Sequence, residues 1–145
     1  MAGAALVLHG VNLNLLGTRE PAVYGRTTLA AVDRLIKEHG RKRGLRVECR
    51  QSNIEGELVN WLQGARREGF MGVVFNPGAF THYSIALRDA VSAIEVPVVE
   101  VHLSNVDERE EWRRKSVISD IVSHRVIGKG PEGYKEAIEW LSQHE

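Results

Sequence analysis

The chain has 145 residues, 43% hydrophobic and 26% charged, with 19 basic residues balancing 19 acidic ones. That is the size and composition of one ordinary globular domain, and residues 1–145 are expected to form it. A formal charge of zero argues against a nucleic-acid surface, which needs a basic face, and gives no membrane-surface signal. The lone cysteine, Cys49, excludes an internal disulfide and suits a reducing, cytoplasmic setting. Cys49 lies in an apolar-alternating run and reads as an inert buried thiol rather than a nucleophile.

In chain order, the N-terminus lacks a basic n-region and meets polar residues early, so it is expected to be neither a signal peptide nor a membrane span. Residues 4–9 read as a buried first strand. Residues 28–43 read as a helix with Leu29, Val32, Leu35 and Ile36 on one stripe. A second strand over 45–50 follows. Ser52 and Glu55 have capping-box spacing, and the helix they open carries Leu58, Trp61, Leu62 and Ala65.

Residues 72–75 form a third, wholly apolar strand. A helix over 82–94 and a strand over 97–101 come next. The charged stretch 105–120 reads as one or two short helical turns, and 125–127 as a last strand. Pro131 sits near the first turn of the last helix, where its missing N–H costs nothing. Tyr134, Ala137, Ile138 and Leu141 form that helix's buried stripe.

Strands alternating with helices predict a parallel sheet covered on both faces. Five of them suggest a flavodoxin-like three-layer sandwich with strand order 2-1-3-4-5. Ligands then bind outside the carboxyl ends of the strands, at the switch between strands one and three.

Three segments leave that edge. The first is a connection of about 17 residues after strand one, where two to six is usual. It carries Asn12, Arg19 and Tyr24, with Gly17 and Gly25 as possible hinges, and reads as a lid rather than a decorative loop. The second runs from Asn76 to Ser84. Thr81 is a plausible N-cap there, which would turn amides near His82 into the cleft; the alternative is that Asn76 and Thr81 serve only turn and cap geometry. The third is the end of strand four. Glu100 and His102 share one strand face, and a buried carboxylate is costly unless paired. Such a Glu can fix the tautomer of a neighbouring His. Arg109, Arg113 and Arg114 lie in a mixed charge run that is usually a solvated helix face, but Arg113 leaves the same edge as His102.

Two decoys fail. Residues 128–133 match G-x-G-x-x-G, yet the chain ends too soon for the required βαβ unit, and Pro131 removes an N–H from the supposed phosphate cradle. A receiver-type phosphoacceptor needs an Asp where Asn76 stands. A flavodoxin-like binding or signalling module is the competing class, but it has no need of Arg19, Tyr24 and His102 together.

The motif Leu8-His9-Gly10-Val11-Asn12-Leu13-Asn14-Leu15-Leu16-Gly17, with Arg19-Glu20-Pro21 and Tyr24-Gly25, resembles the start of the type II 3-dehydroquinate dehydratases. Gln51-Ser52-Asn53 with Glu55-Gly56-Glu57, Asn76-Pro77-Gly78-Ala79-Phe80-Thr81-His82, and Glu100-Val101-His102-Leu103-Ser104-Asn105 with Arg113 are similar to later blocks of that family, in the same order.

The resemblance implies loss of water from 3-dehydroquinate to give 3-dehydroshikimate through an enolate. It implies no metal and no organic cofactor, and a homo-oligomer, a dodecamer built as a tetramer of trimers. Carried over by position, Tyr24 removes the proton alpha to the ketone, Arg19 favours its phenolate, and Asn12 helps hold a water at the enolate. His102 protonates the departing hydroxyl and Glu100 orients His102. Asn76, Leu103 and Ser104 bind substrate, the last two through backbone amides, while His82 and Arg113 contact ring hydroxyls. Asp89 reaches a neighbouring subunit's site. Ile54, Tyr83 and the pair Asp107-Glu108 depart from the family pattern without touching these positions.

Overall fold

The computed structural model describes residues 3–18, 22 and 26–144. Five parallel strands form one sheet in the order β2-β1-β3-β4-β5: β1 Gly3–Val11, β2 Leu45–Gln51, β3 Gly72–Gly78, β4 Val98–His102 and β5 His124–Ile127. The helices are α1 Leu29–Lys42, α2 Glu55–Gly64, α3 Ile85–Ala93, α4 Glu111–Arg114 and α5 Glu132–Gln143. Short 3-10 turns at Leu13–Leu15, Ala79–His82 and Val106–Glu108 follow β1, β3 and β4. This is the flavodoxin-like sandwich that the alternating pattern predicts.

The inner strands β1, β3 and β4 are mostly apolar because both their faces are covered, while the edge strands β2 and β5 carry charged residues. Along β1, Ala4, Leu6 and Leu8 pack on one face with Leu58 and Leu62 of α2 and Leu87 of α3. Ala5 and Val7 pack on the other with Val32 and Ile36 of α1 and Tyr134, Ile138 and Leu141 of α5. The predicted α5 stripe is fully buried.

Two helix starts differ from expectation. Ser52 does not cap α2: its hydroxyl accepts the N–H of Ile54 two residues on, at 2.9 Å, and the helix begins at Glu55. The Glu55 carboxylate instead accepts the Ser84 hydroxyl at 2.6 Å. Ser84, not Thr81, is the N-cap of α3, accepting the Leu87 N–H at 3.0 Å. The chain therefore makes a 3-10 turn over Ala79–His82 before α3, and no α-helix starts at His82.

The carboxyl ends of β1 and β3 approach unusually closely. A Cβ on Gly10 would lie 2.1 Å from the Pro77 carbonyl oxygen, and one on Gly78 2.6 Å from the Val11 carbonyl oxygen. Only glycine fits, and Gly78 also has φ +65°, a conformation glycine adopts without penalty. These contacts hold the ends of β1 and β3 together at the switch point, where Asn12 and Asn76 line one cleft.

Candidate active site

Beyond that edge lies a cleft of about 280 Å³. Asn12, Asn76, His82, His102, Leu103, Ser104 and Arg113 all line it, together with Arg109 and Trp112. Residues from three connections, distant in sequence, are thus gathered at the place the strand order dictates. Arg19 and Tyr24 lie outside the described residues. Asp89 is exposed on α3 and does not line this cleft.

Asn12 follows β1 with φ 68° and ψ 0°, the one non-glycine residue among those described with positive φ. Asparagine tolerates this left-handed region better than most residues. Its N–H donates to Asn53 Oδ1 at 2.9 Å. The Gln51 amide bridges Gly10 O at 3.2 Å and Asn53 Oδ1 at 3.1 Å, so the end of β2 holds the turn. Asn76 is almost fully buried, and its Oδ1 accepts the Gly78 N–H at 3.1 Å.

His102 and Glu100 do share a face of β4. Glu100 is fully buried behind His102 and accepts its Nε2–H at 2.5 Å. Hydroxyls of Ser116 (2.7 Å), Ser119 (2.9 Å) and Thr81 (3.2 Å) also donate to the carboxylate. Arg125 adds its charge at 3.4 Å without a hydrogen bond from Nε. Burial pushes the Glu100 carboxyl up, but the bond and charge of His102, with Ser116 and Ser119, outweigh it and hold the group at about 2. A permanently ionised Glu100 sets which ring nitrogen of His102 faces inward and balances the charge of an imidazolium.

His82 donates Nδ1–H to the Lys115 carbonyl at 2.7 Å, and its ring meets Trp112 edge-on at 5.8 Å. The Arg113 guanidinium sits 4.5 Å above Trp112 and pairs with Glu110 at 3.1 Å. The far wall is therefore cationic and aromatic.

The glycine-rich run 128–130 has a supporting task. Gly128 N–H donates to His102 O at 3.2 Å and Gly130 N–H to Leu103 O at 3.0 Å. These bonds anchor the backbone that bears His102, Leu103 and Ser104; no amide cradle for phosphate forms there.

Sequence reasoning missed Trp112, Ser116 and Ser119, and it named Gln51 and Asn53 within a motif without their role in supporting the Asn12 turn. It also passed over His9, whose isolation within an apolar strand was a usable signal. His9, Asp33 and Cys49 are the group among the described residues whose potential metal-ligand atoms lie within 4.8 Å of one another. His9 Nε2 is already engaged by Asp33 at 2.7 Å, and burial, then the Asp33 charge, pushes the Cys49 thiol up and away from thiolate.

A flavodoxin-like sheet whose carboxyl edge joins two asparagines, an arginine wall and a carboxylate-held histidine defines an acid–base enzyme acting on a small polar, anionic substrate. The comparisons with known proteins narrow this. The family model for class II dehydroquinases matches residues 3–142. A 3-dehydroquinate dehydratase of Deinococcus radiodurans is 51% identical over 138 residues, spanning 95% of this chain and 96% of that protein. One from Thermus thermophilus is 53% identical over 138 residues, spanning 95% and 93%. The crystal structure of type II dehydroquinase from Propionibacterium acnes superposes with a TM-score of 0.93 at 42% identity, covering 99% of this chain and 98% of that one. The chain belongs to the class II dehydroquinase family.

Proposed function

We propose that the chain is a hydro-lyase that converts 3-dehydroquinate to 3-dehydroshikimate through an enolate, serving the shikimate route to aromatic compounds or quinate breakdown. The family match along 3–142 carries this reading and supports taking residues 1–145 as one dehydroquinase domain. Tyr24, with Arg19 beside it, removes the proton alpha to the ketone. Asn12 holds a water at the developing enolate. His102, kept in register by Glu100, hands a proton to the leaving hydroxyl. Asn76 and the backbone amides of Leu103 and Ser104 bind the substrate, the amides at its carboxylate; His82 and Arg113 take the ring hydroxyls.

The chain works in the cytoplasm as a homo-oligomer, a dodecamer of four trimers, in which Asp89 completes a neighbouring site. No helix among the described residues is long and apolar enough to cross a membrane. The exposure of Asp89, Ile54, Tyr83 and Ile85 supports a subunit interface on that flank. The deciding experiment adds 3-dehydroquinate to the purified protein and follows ultraviolet absorbance. The product is a conjugated enone, so absorbance rises; a flat trace rejects the dehydratase reading. Sedimentation of the same sample reads the oligomer.

A further inference from the structure

His9 is fully buried in β1, directly beside Asn76 of β3 in the sheet register. Both side chains face α1 and α5. Tyr134 of α5, also fully buried, brings its hydroxyl to 3.2 Å from His9 Nδ1 and to 3.2 Å from Asn76 Nδ2. Its ring meets His9 edge-on at 5.5 Å. On the far side, His9 Nε2 lies 2.7 Å from Asp33 Oδ1 on α1, and Asp33 is 26% exposed. A row of hydrogen bonds thus runs from a partly exposed carboxylate, through two buried rings, to an asparagine lining the cleft.

With Asp33 as a carboxylate and His9 as a neutral ring, each bond in the row has one direction: the carboxylate only accepts, so His9 Nε2 carries the proton and Nδ1 is an acceptor. Tyr134 then donates its proton to His9 and offers its oxygen to Asn76. Burial pushes the Tyr134 phenol up, so it stays an O–H. Asn76 must point Nδ2 at Tyr134, and its Oδ1 takes the Gly78 N–H at 3.1 Å. Turning the amide over would face N–H against N–H at Gly78 and leave Tyr134 without its donor. One amide N–H on Nδ2 remains, and Asn76 lines the cleft.

We propose that Asp33, His9 and Tyr134 form a positioning relay that fixes the Asn76 amide with a donor toward the cleft, so that the site selects a hydrogen-bond-accepting oxygen of the substrate at that point. The relay rests on the reading of Asn76 as a substrate-binding residue. It adds Asp33, His9 and Tyr134, none of which touches substrate, as residues that act through Asn76.

The test is steady-state kinetics with 3-dehydroquinate on Tyr134→Phe, Asp33→Ala, Asp33→Asn and Asn76→Ala, and on Tyr134→Phe combined with Asn76→Ala. Tyr134→Phe is expected to raise KM about tenfold, the value of one lost hydrogen bond, with kcat changed far less. Asp33→Ala raises KM by roughly threefold, and Asp33→Asn, which keeps an acceptor oxygen, restores it. Asn76→Ala raises KM by itself, and adding Tyr134→Phe to it raises KM no further. A KM unchanged in both Tyr134→Phe and Asp33→Ala, with only a lower melting temperature, overturns the relay while Asn76→Ala still reports on Asn76. A KM unchanged in Asn76→Ala rejects instead the reading of Asn76 on which the relay stands. Should Tyr134→Phe fail to fold, the partly exposed Asp33 pair decides the matter.

Discussion

The His102 imidazole gives its Nε2–H to a Glu100 oxygen 2.5 Å away, and no solvent reaches that carboxylate. Glu100 accepts from three hydroxyls as well, so it cannot swing away to solvate itself. The histidine is consequently presented to the cleft in one tautomer and one orientation. Glu100→Gln preserves the shape but removes the charge and supplies an N–H where only acceptors fit. Turnover is expected to fall by roughly 100-fold, the scale of losing a positioned proton donor, with a much smaller change in KM. Comparing kcat and KM of the two proteins checks this; an equal kcat removes Glu100 from the mechanism.

The same carboxylate links stability to pH. Its folded value, about 2, lies below the ordinary glutamate value of 4.5. A depressed acid stabilises the fold while ionised, so its contribution is complete above about pH 4.5 and drains away as pH falls toward 2. Each pH unit inside that window removes at most about 1.4 kcal/mol for one proton. Denaturant unfolding at pH 6, 4 and 3 should show the wild type losing more stability than Glu100→Gln over that range. Parallel losses would mean that Glu100 is not the group being protonated.

Much of this was legible in the sequence, and the misses have physical reasons. Strand order followed from alternating apolar runs, because a sheet covered on both faces leaves little freedom in patterning. Glu100 and His102 were found because a carboxylate in a buried strand demands a partner. The starts of α2 and α3 were missed for one shared reason. Ser52, Thr81 and Ser84 all have cap-forming hydroxyls, and tertiary partners decided among them: Thr81 was claimed by Glu100, which left Ser84 as the cap. Tyr134 was read only as core, since period and burial say nothing of where a phenol's hydroxyl points. The departures Ile54 and Tyr83 are exposed beside the α2 and α3 starts, away from the cleft.

Asn12 separates a backbone role from a side-chain role. Its φ of 68° suits glycine and strains alanine by about 1 kcal/mol. Asn12→Gly should therefore fold at least as stably as Asn12→Ala, by a margin of that order in denaturant unfolding. Both lack the amide proposed to hold the catalytic water, so both should lose turnover alike, on the order of tenfold or more. If Asn12→Gly keeps full turnover, the side chain has no part in the chemistry and only the turn matters.

A free phenol has a pKa near 10, and making it a base near neutrality needs roughly 4 kcal/mol of preferential stabilisation of the phenolate. One cation at about 4 Å supplies that much at an effective dielectric near 20. Arg19, five residues before Tyr24, is the cation assigned to it. Tyr24→Phe removes the proposed base and should lower kcat by roughly 1,000-fold or more, leaving KM within a few-fold of wild type. Arg19→Ala should keep the phenol but lose its activation. Its kcat should fall at neutral pH and recover in part as pH rises toward 10, where the phenol ionises unaided. A Tyr24→Phe enzyme with unaltered turnover sinks the assignment. An Arg19→Ala enzyme whose loss is the same at every pH shows that Arg19 serves substrate binding or closure rather than the phenolate.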